Sequence, residues 1–128
     1  MTVMTNAIVR TWSATASSAG ADDYSRYFAG TLLPQLRALP GFVGAYLLRR
    51  EAGGAGGAGG AGEGTEAGTA ELTAHTFWES PAAIRAFAGD DITVAIVEPE
   101  AQAMLLDFDR TAAHRSVVVD AHERRAGQ

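Results

Sequence analysis

The chain contains no cysteine. Disulfides, thiolate metal sites and a cysteine nucleophile are therefore excluded. Long hydrophobic runs are missing too: no stretch reaches the roughly 18 apolar residues of a spanning helix, so no membrane partner is expected. Basic excess is lacking as well, with 10 Lys+Arg against 15 Asp+Glu and a net charge of −5. A nucleic-acid binder needs a basic stripe, so that class is disfavoured. The N-terminal MTVMTNAIVRTW has no basic region followed by an apolar core, so no signal peptide is expected and a cytoplasmic protein is the default. Proline is sparse, at four residues, and absent from the repeated Gly-Gly-Ala triplets, which excludes collagen.

A length of 128 residues predicts one domain with a real core. The stretch Glu71–Gly89, ELTAHTFWESPAAIRAFAG, organises it. Leu72, Ala74, Thr76 and Trp78 alternate with Thr73, His75 and Phe77, which predicts a strand covered on both faces. Ser80 stands at an N-cap, Pro81 at the first helical position, Ile84, Phe87 and Ala88 at helical spacing, and Gly89 at the close.

Ahead of this unit, Ala7–Thr15 alternates as a first strand. From about Ala21 to Leu39 a helical stripe runs through Tyr24, Tyr27, Phe28, Thr31, Leu32, Gln35, Leu36 and Leu39, with a kink expected near Thr31 because Pro34 sits inside it. Pro40-Gly41 ends the element. Phe42–Arg50 alternates as a second strand, with Phe42, Gly44, Tyr46 and Leu48 opposite Val43, Ala45, Leu47 and Arg49. Ala52–Ala70 holds nine of the 15 glycines and reads as a flexible hairpin loop. It lacks the GxxxxGK[ST] spacing of a phosphate cradle. Further on, Asp90 or Asp91 caps a predicted short helix over Ile92–Val97. Pro99 opens a helical turn through Leu106, Asp107–Thr111 is a turn, Ala113–Asp120 is a last strand, and 122–128 is a frayed tail. The order β-α-β-β-α-β is the split βαβ, an α+β ferredoxin-like arrangement with an antiparallel sheet and helices on one face. All four strands carry apolar residues on both faces, so a second copy packed sheet to sheet is expected.

Three segments carry a resemblance: IVRTW at Ile8–Trp12, FWESPAAIRAFAGDD at Phe77–Asp91, and VEPEAQAMLLDFDRTAAH at Val97–His114. With the Leu39–Phe42 turn, they resemble the antibiotic biosynthesis monooxygenase family over about Ile8–Val119, apart from the glycine-rich insertion. The resemblance implies a single such domain over 1–128, with a core at about 6–121, that forms a homodimeric α+β barrel. The wider superfamily includes cofactor-free oxygenases, haem-degrading enzymes and cyclases. The haem-degrading branch would need a Trp where Phe87 stands, a His where Val97 stands and an Asn near Arg10, and it is disfavoured. What the resemblance implies instead is a cofactor-independent monooxygenase, with no metal, acting on a small aromatic polyketide-like phenol or hydroquinone and O2. A cyclase or isomerase on the same scaffold, or a non-catalytic binding protein, are the alternatives.

Such chemistry needs an apolar cavity, a proton acceptor and donors to an oxyanion. The candidate catalytic groups are His114, His75 and Arg10. Arg10, a charge inside an otherwise apolar strand, would hold an anionic substrate oxygen or else pair with a carboxylate such as Glu79 at the dimer interface. The two histidines would share one cavity as bases, or face opposite sides of the sheet as structural groups. Trp12, Tyr24, Tyr27, Phe28, Tyr46, Phe77 and Phe87 are candidate substrate-binding residues, although aromatics at such spacing are commonly core. Trp78 reads as a packing anchor and Met104 as core. The two usable histidines lack an HxxxH or HxE pattern, so no metal ligand set is expected, and no nucleophile elbow supports a serine triad.

Overall fold

A computed structural model describes residues 7–52 and 68–121. The elements run β1 (Ile8–Ser17), α1 (Ser18–Tyr27), a π-helical turn (Phe28–Leu32), α2 (Leu33–Arg37), β2 (Phe42–Ala52), β3 (Thr69–Trp78), α3 (Pro81–Ala88), α4 (Pro99–Gln102), β4 (Asp107–Phe108) and β5 (Ala113–Ser116). The sheet is antiparallel in the order β2-β3-β1, with β4 and β5 laid end to end along the far edge of β1. This is the expected α+β, ferredoxin-like topology.

Register fixes the faces. Arg10 aligns with Thr76 on one side and His114 on the other, while Thr11 aligns with His75 and Ala113. Even-numbered residues of β1 and β3 therefore share the face beneath the helices, and odd-numbered ones share the open face. Two apolar clusters lie under the helices. One gathers Ala16, Tyr24, Phe28 and Leu72, and the other gathers Leu36, Trp78, Ile84 and Ala88. Trp78 is fully buried, stacks on Phe87 at 6.0 Å and meets Phe42 edge-on at 5.3 Å, the anchor it was expected to be.

The first helix forms as its sequence directs, with one interruption. The Ser17 hydroxyl accepts from the Gly20 N–H at 2.9 Å and caps α1, three residues ahead of the expected start. Pro34 has no N–H to give the Gly30 carbonyl, and its ring crowds that carbonyl. The chain responds with a π turn, in which the Leu33 N–H reaches back to the Phe28 carbonyl. The kink expected near Thr31 is this turn, and α2 then ends at Arg37 rather than Leu39.

Five local expectations are corrected. A bulge between Phe42 and Gly44 breaks the alternation of β2, so Phe42 turns under the helices while Gly44, Tyr46 and Leu48 stay on the open face. No helix forms over Ile92–Val97. Its backbone is instead paired with a neighbouring strand-like run, Ala95 N–H to the Arg110 carbonyl at 3.0 Å and Ala112 N–H to the Thr93 carbonyl at 2.8 Å. Asp91 serves as a turn former there, accepting from the Thr93 N–H and hydroxyl. The expected turn at Asp107–Thr111 begins with β4, which pairs with Ala14 and Thr15, and the helical turn opened by Pro99 stops at Gln102. The last strand ends at Ser116, not Asp120. Its partner β1 starts at Ile8, and just past the strand Val117 N–H reaches the Ala7 carbonyl at 2.8 Å. Most of the expected glycine-rich loop and the tail 122–128 lie outside the described residues. Thr69 and Ala70, at the edge of that loop, already belong to β3. No helix among the described residues is long and apolar enough to cross a membrane.

Candidate functional site

Beneath the helices, between β1, β3, the π turn, α3 and the run 95–96, lies a cavity of about 50 Å³. Its walls include Trp12, Tyr24, Phe28, Leu32, Phe87 and Ile96, and Arg10 is its one charged lining residue. A second cavity of about 30 Å³ adjoins it, sharing Tyr24, Leu32, Phe87 and Ile96 and adding Tyr27, Gln35 and Glu98.

Arg10 is 5% exposed. Within the chain, neither Glu79 nor any other carboxylate among the described residues forms a recorded ion pair with it. Nη1 donates to the Ile92 carbonyl and to His114 Nε2 at 3.0 Å, and Nη2 donates to the Val94 carbonyl at 2.9 Å. The guanidinium also lies over the Phe87 ring, 5.7 Å from its centroid. A guanidinium has five N–H donors. Three are engaged, and among the described residues no partner is recorded for Nε–H or for the second Nη2–H. Every fully enclosed polar side-chain atom among the described residues has a partner. Burial pulls the Arg10 pKa below its ordinary value, since desolvation disfavours the charged form.

His114 reaches this site from β5, aligned with Arg10. To accept from Arg10 at Nε2, its ring carries the proton on Nδ1 and is neutral. Burial first, then the Arg10 charge, hold its pKa below the ordinary 6.5. The ring stands behind Arg10 and is not part of the cavity wall. His75 is elsewhere: it sits on the open face, with Nδ1 3.0 Å from the Thr11 hydroxyl. Of the two arrangements open to the histidines, the protein has the one with opposite faces.

The aromatic candidates divide the same way. Trp12, Tyr24, Phe28 and Phe87 wall the Arg10 cavity and Tyr27 the adjoining one. Tyr46 and Phe77 meet edge-on at 5.7 Å on the open face, away from it. The Trp12 indole is oriented by donating to the Asp109 carbonyl at 2.8 Å. Tyr24 makes no hydrogen bond among the described residues. Burial, then Tyr27, raises its pKa, so it remains a neutral donor. Tyr27 is raised in turn, by burial and then by Glu100 and Glu98.

Several contributors were not legible in the sequence. Thr76 and Leu32 line the cavity, and their positions on the even face of β3 and one turn beyond Phe28 could have pointed to them. Ile96 and the Ile92 and Val94 carbonyls could not be found, because they depend on the chain being extended where the sequence reads as helix.

Neither a protein-family model nor a curated protein sequence matches the chain. Solved structures do. A candidate antibiotic biosynthesis monooxygenase from Bacillus cereus is similar at a TM-score of 0.56 and 15% identity, covering 92% of this chain and 99% of its own. The monooxygenase from the gene ActVA-Orf6 of Streptomyces coelicolor, in complex with nanaomycin D, is similar at 0.50 and 16% identity, covering 96% and 95%. The chain has the fold of antibiotic biosynthesis monooxygenase structures. SnoaB, a cofactor-independent oxygenase from Streptomyces nogalater, is similar at 0.45 and 15% identity, covering 96% and 99%. At these identities the antibiotic biosynthesis monooxygenase likeness concerns the fold, and chemistry has to be argued from the cavity.

Proposed function

We propose that this chain is a cofactor-independent monooxygenase that oxidises an aromatic, polyketide-like phenol or hydroquinone. The observation that carries this reading is Arg10: a buried cation with no carboxylate partner among the described residues, at the wall of an otherwise apolar, aromatic cavity. In such surroundings a negative charge is stabilised far more than in water. The cavity therefore favours the ionised substrate, whose proton is left to water at the mouth. The Tyr24 hydroxyl is placed to donate to a substrate oxygen. Electrons then pass from the substrate anion to O2 without flavin or metal. His114 acts here as a positioning residue for Arg10 rather than as the base, because the lone pair a base needs is already engaged by Nη1. His75 has no part in the cavity chemistry. The monooxygenase fold neighbour that holds nanaomycin D supports an aromatic ligand class for this scaffold.

The present cavity is smaller than such a ligand. One benzene needs roughly 150 Å³, so substrate entry displaces the wall between the two cavities. Ile96, 39% exposed and on a run with no helix or strand, is the element placed to yield.

We also propose a homodimer, sheet against sheet. It is supported by the exposed Val43, Tyr46 and Leu48, of which Tyr46 and Leu48 stand on the open face beside Phe77.

The test is oxygen consumption by metal-free protein with anthrone- and naphthol-type hydroquinones, followed by mass analysis. A product that has gained one oxygen and lost two hydrogens is expected, the second oxygen leaving as water. Products of unchanged mass would replace this reading with a cyclase or isomerase, and binding without turnover would replace it with a binding protein.

A further inference from the structure

We propose that the run 92–96 is a flap over the cavity, latched shut by Arg10 and released when His114 takes up a proton. The device does not depend on the oxygenase reading. The run belongs to no helix or strand, yet both of its edges are held. One edge meets residues 110–112: Ala95 N–H donates to the Arg110 carbonyl at 3.0 Å, and Ala112 N–H donates to the Thr93 carbonyl at 2.8 Å. The other edge offers the Ile92 and Val94 carbonyls, and both accept from the Arg10 guanidinium. The backbone edge can serve as a hinge, because nothing in it titrates. The guanidinium is one side chain holding two residues, so it is the part that can let go. Ala95 and Ile96, which wall the cavity, ride on the same run.

Geometry makes His114 the trigger. Its Nε2 accepts from Arg10 Nη1 at 3.0 Å, and the same Nη1 donates to the Ile92 carbonyl. A proton on His114 removes that acceptor and sets two cations side by side in a poorly solvated place. The repulsion pushes Nη1 from the ring, and its hold on Ile92 goes with it. The charged neighbours leave this trigger alone. Burial and Arg10 are what act on His114 among the described residues, and both favour its neutral form. The flap is therefore shut at neutral pH and opens on acidification. Arg115, next in β5, aligns with Val9 on the opposite face. Arg110 lies over the Phe108 ring. Asp91, at the head of the run, stays ionised, because the Thr93 hydroxyl and N–H hold its pKa below the usual carboxylate value.

The test uses the full chain from pH 7.5 to 5. The amide 15N–1H signals of 92–96 are expected to move with the His114 ring titration, while the amides of α3 and the indole N–H of Trp78 stay put. 1-Naphthol, uncharged over this range, probes the cavity. Its association rate, followed by stopped-flow fluorescence, is expected to rise several-fold on acidification. Both responses are expected to vanish in His114→Gln, whose amide oxygen still accepts from Arg10 but takes up no proton. Amides of 92–96 that ignore the His114 titration overturn the latch, whatever the variant does. A response that survives in His114→Gln overturns His114 as the trigger. Signals of α3 and Trp78 that move with the run would mean general acid unfolding and overturn a local flap. An unchanged 1-naphthol rate, or no binding at all, overturns the run as the gate of the cavity.

Discussion

His75 and His114 stand on opposite faces of one sheet, although they align with consecutive residues of β1. Thr11 aligns with His75 and bonds it, and Arg10 aligns with His114 and bonds it. Two histidines that look interchangeable in sequence therefore have separate tasks. His114→Ala removes a bond to a cation, and such bonds contribute about 1.5–3 kcal/mol. Oxygen-uptake kcat/KM is expected to fall about tenfold or more. His75→Ala is expected to leave it within about twofold. Steady-state oxygen electrode assays on both variants check this, and equal losses would remove the distinction.

Stability follows the same pair. The folded pKa of His114 is depressed below 6.5. Between that lower value and 6.5, the unfolded chain binds the extra proton and the folded chain does not. Stability therefore rises with pH across this window and falls on acidification through it. Urea midpoints measured from pH 7.5 down to 5 are expected to drop, and the drop is expected to shrink in His114→Asn.

Arg10→Met places an apolar side chain of similar length among the Phe87 and Trp12 rings, but it leaves the Ile92 and Val94 carbonyls without their donor. Unfolding free energy is expected to fall by about 1–3 kcal/mol, while oxidation is lost. The paired loss separates this site from a passive core, and urea denaturation together with oxygen uptake reads both effects.

Gly41 has φ +90°, and a Cβ there would stand 2.5 Å from the Ala83 Cβ. Gly41→Ala combines a left-handed backbone penalty of about 1 kcal/mol with that overlap. It is expected to destabilise by about 2–4 kcal/mol in total. Gly30→Ala, with nothing within 4 Å of its added carbon, is expected to be neutral or slightly stabilising. Thermal unfolding of the two variants provides the comparison.

The open face gives the dimer test. Tyr46 and Leu48 are 49% and 47% exposed. Leu48→Asp is expected to convert a dimer to a monomer in sedimentation velocity, with helical circular dichroism retained.

Much of the fold was legible because local signals agreed with tertiary needs. Ser80, Pro81 and Gly89 start and stop α3 where the structure does, and the alternation of β3 survives in its burial. The misreadings share one cause: the partner lay far away in the chain. Ile92–Val97 has a helix-like look, but Arg110–Ala112 and the Arg10 guanidinium claim its carbonyls and amides in extended form. Asp107-Phe108 reads as a turn until Ala14 and Thr15 offer it a ladder. At the site, Arg10, Trp12, Tyr24, Phe28 and Phe87 could be named from residue type and face. The Ile92 and Val94 carbonyls that aim Arg10 are backbone groups, and no residue code records them.

The π turn at Phe28–Leu32 makes the long helix two segments set out of phase. Tyr24 and Phe28 look toward the cavity, and Leu36, past the turn, looks toward Trp78, with Leu32 touching both clusters. The molecule thus keeps its cavity and its foundations apart. The room can be enlarged or reshaped through residues ahead of Leu32 while the Trp78 cluster continues to hold the fold, which makes this chain a tractable starting point for altering what the cavity admits.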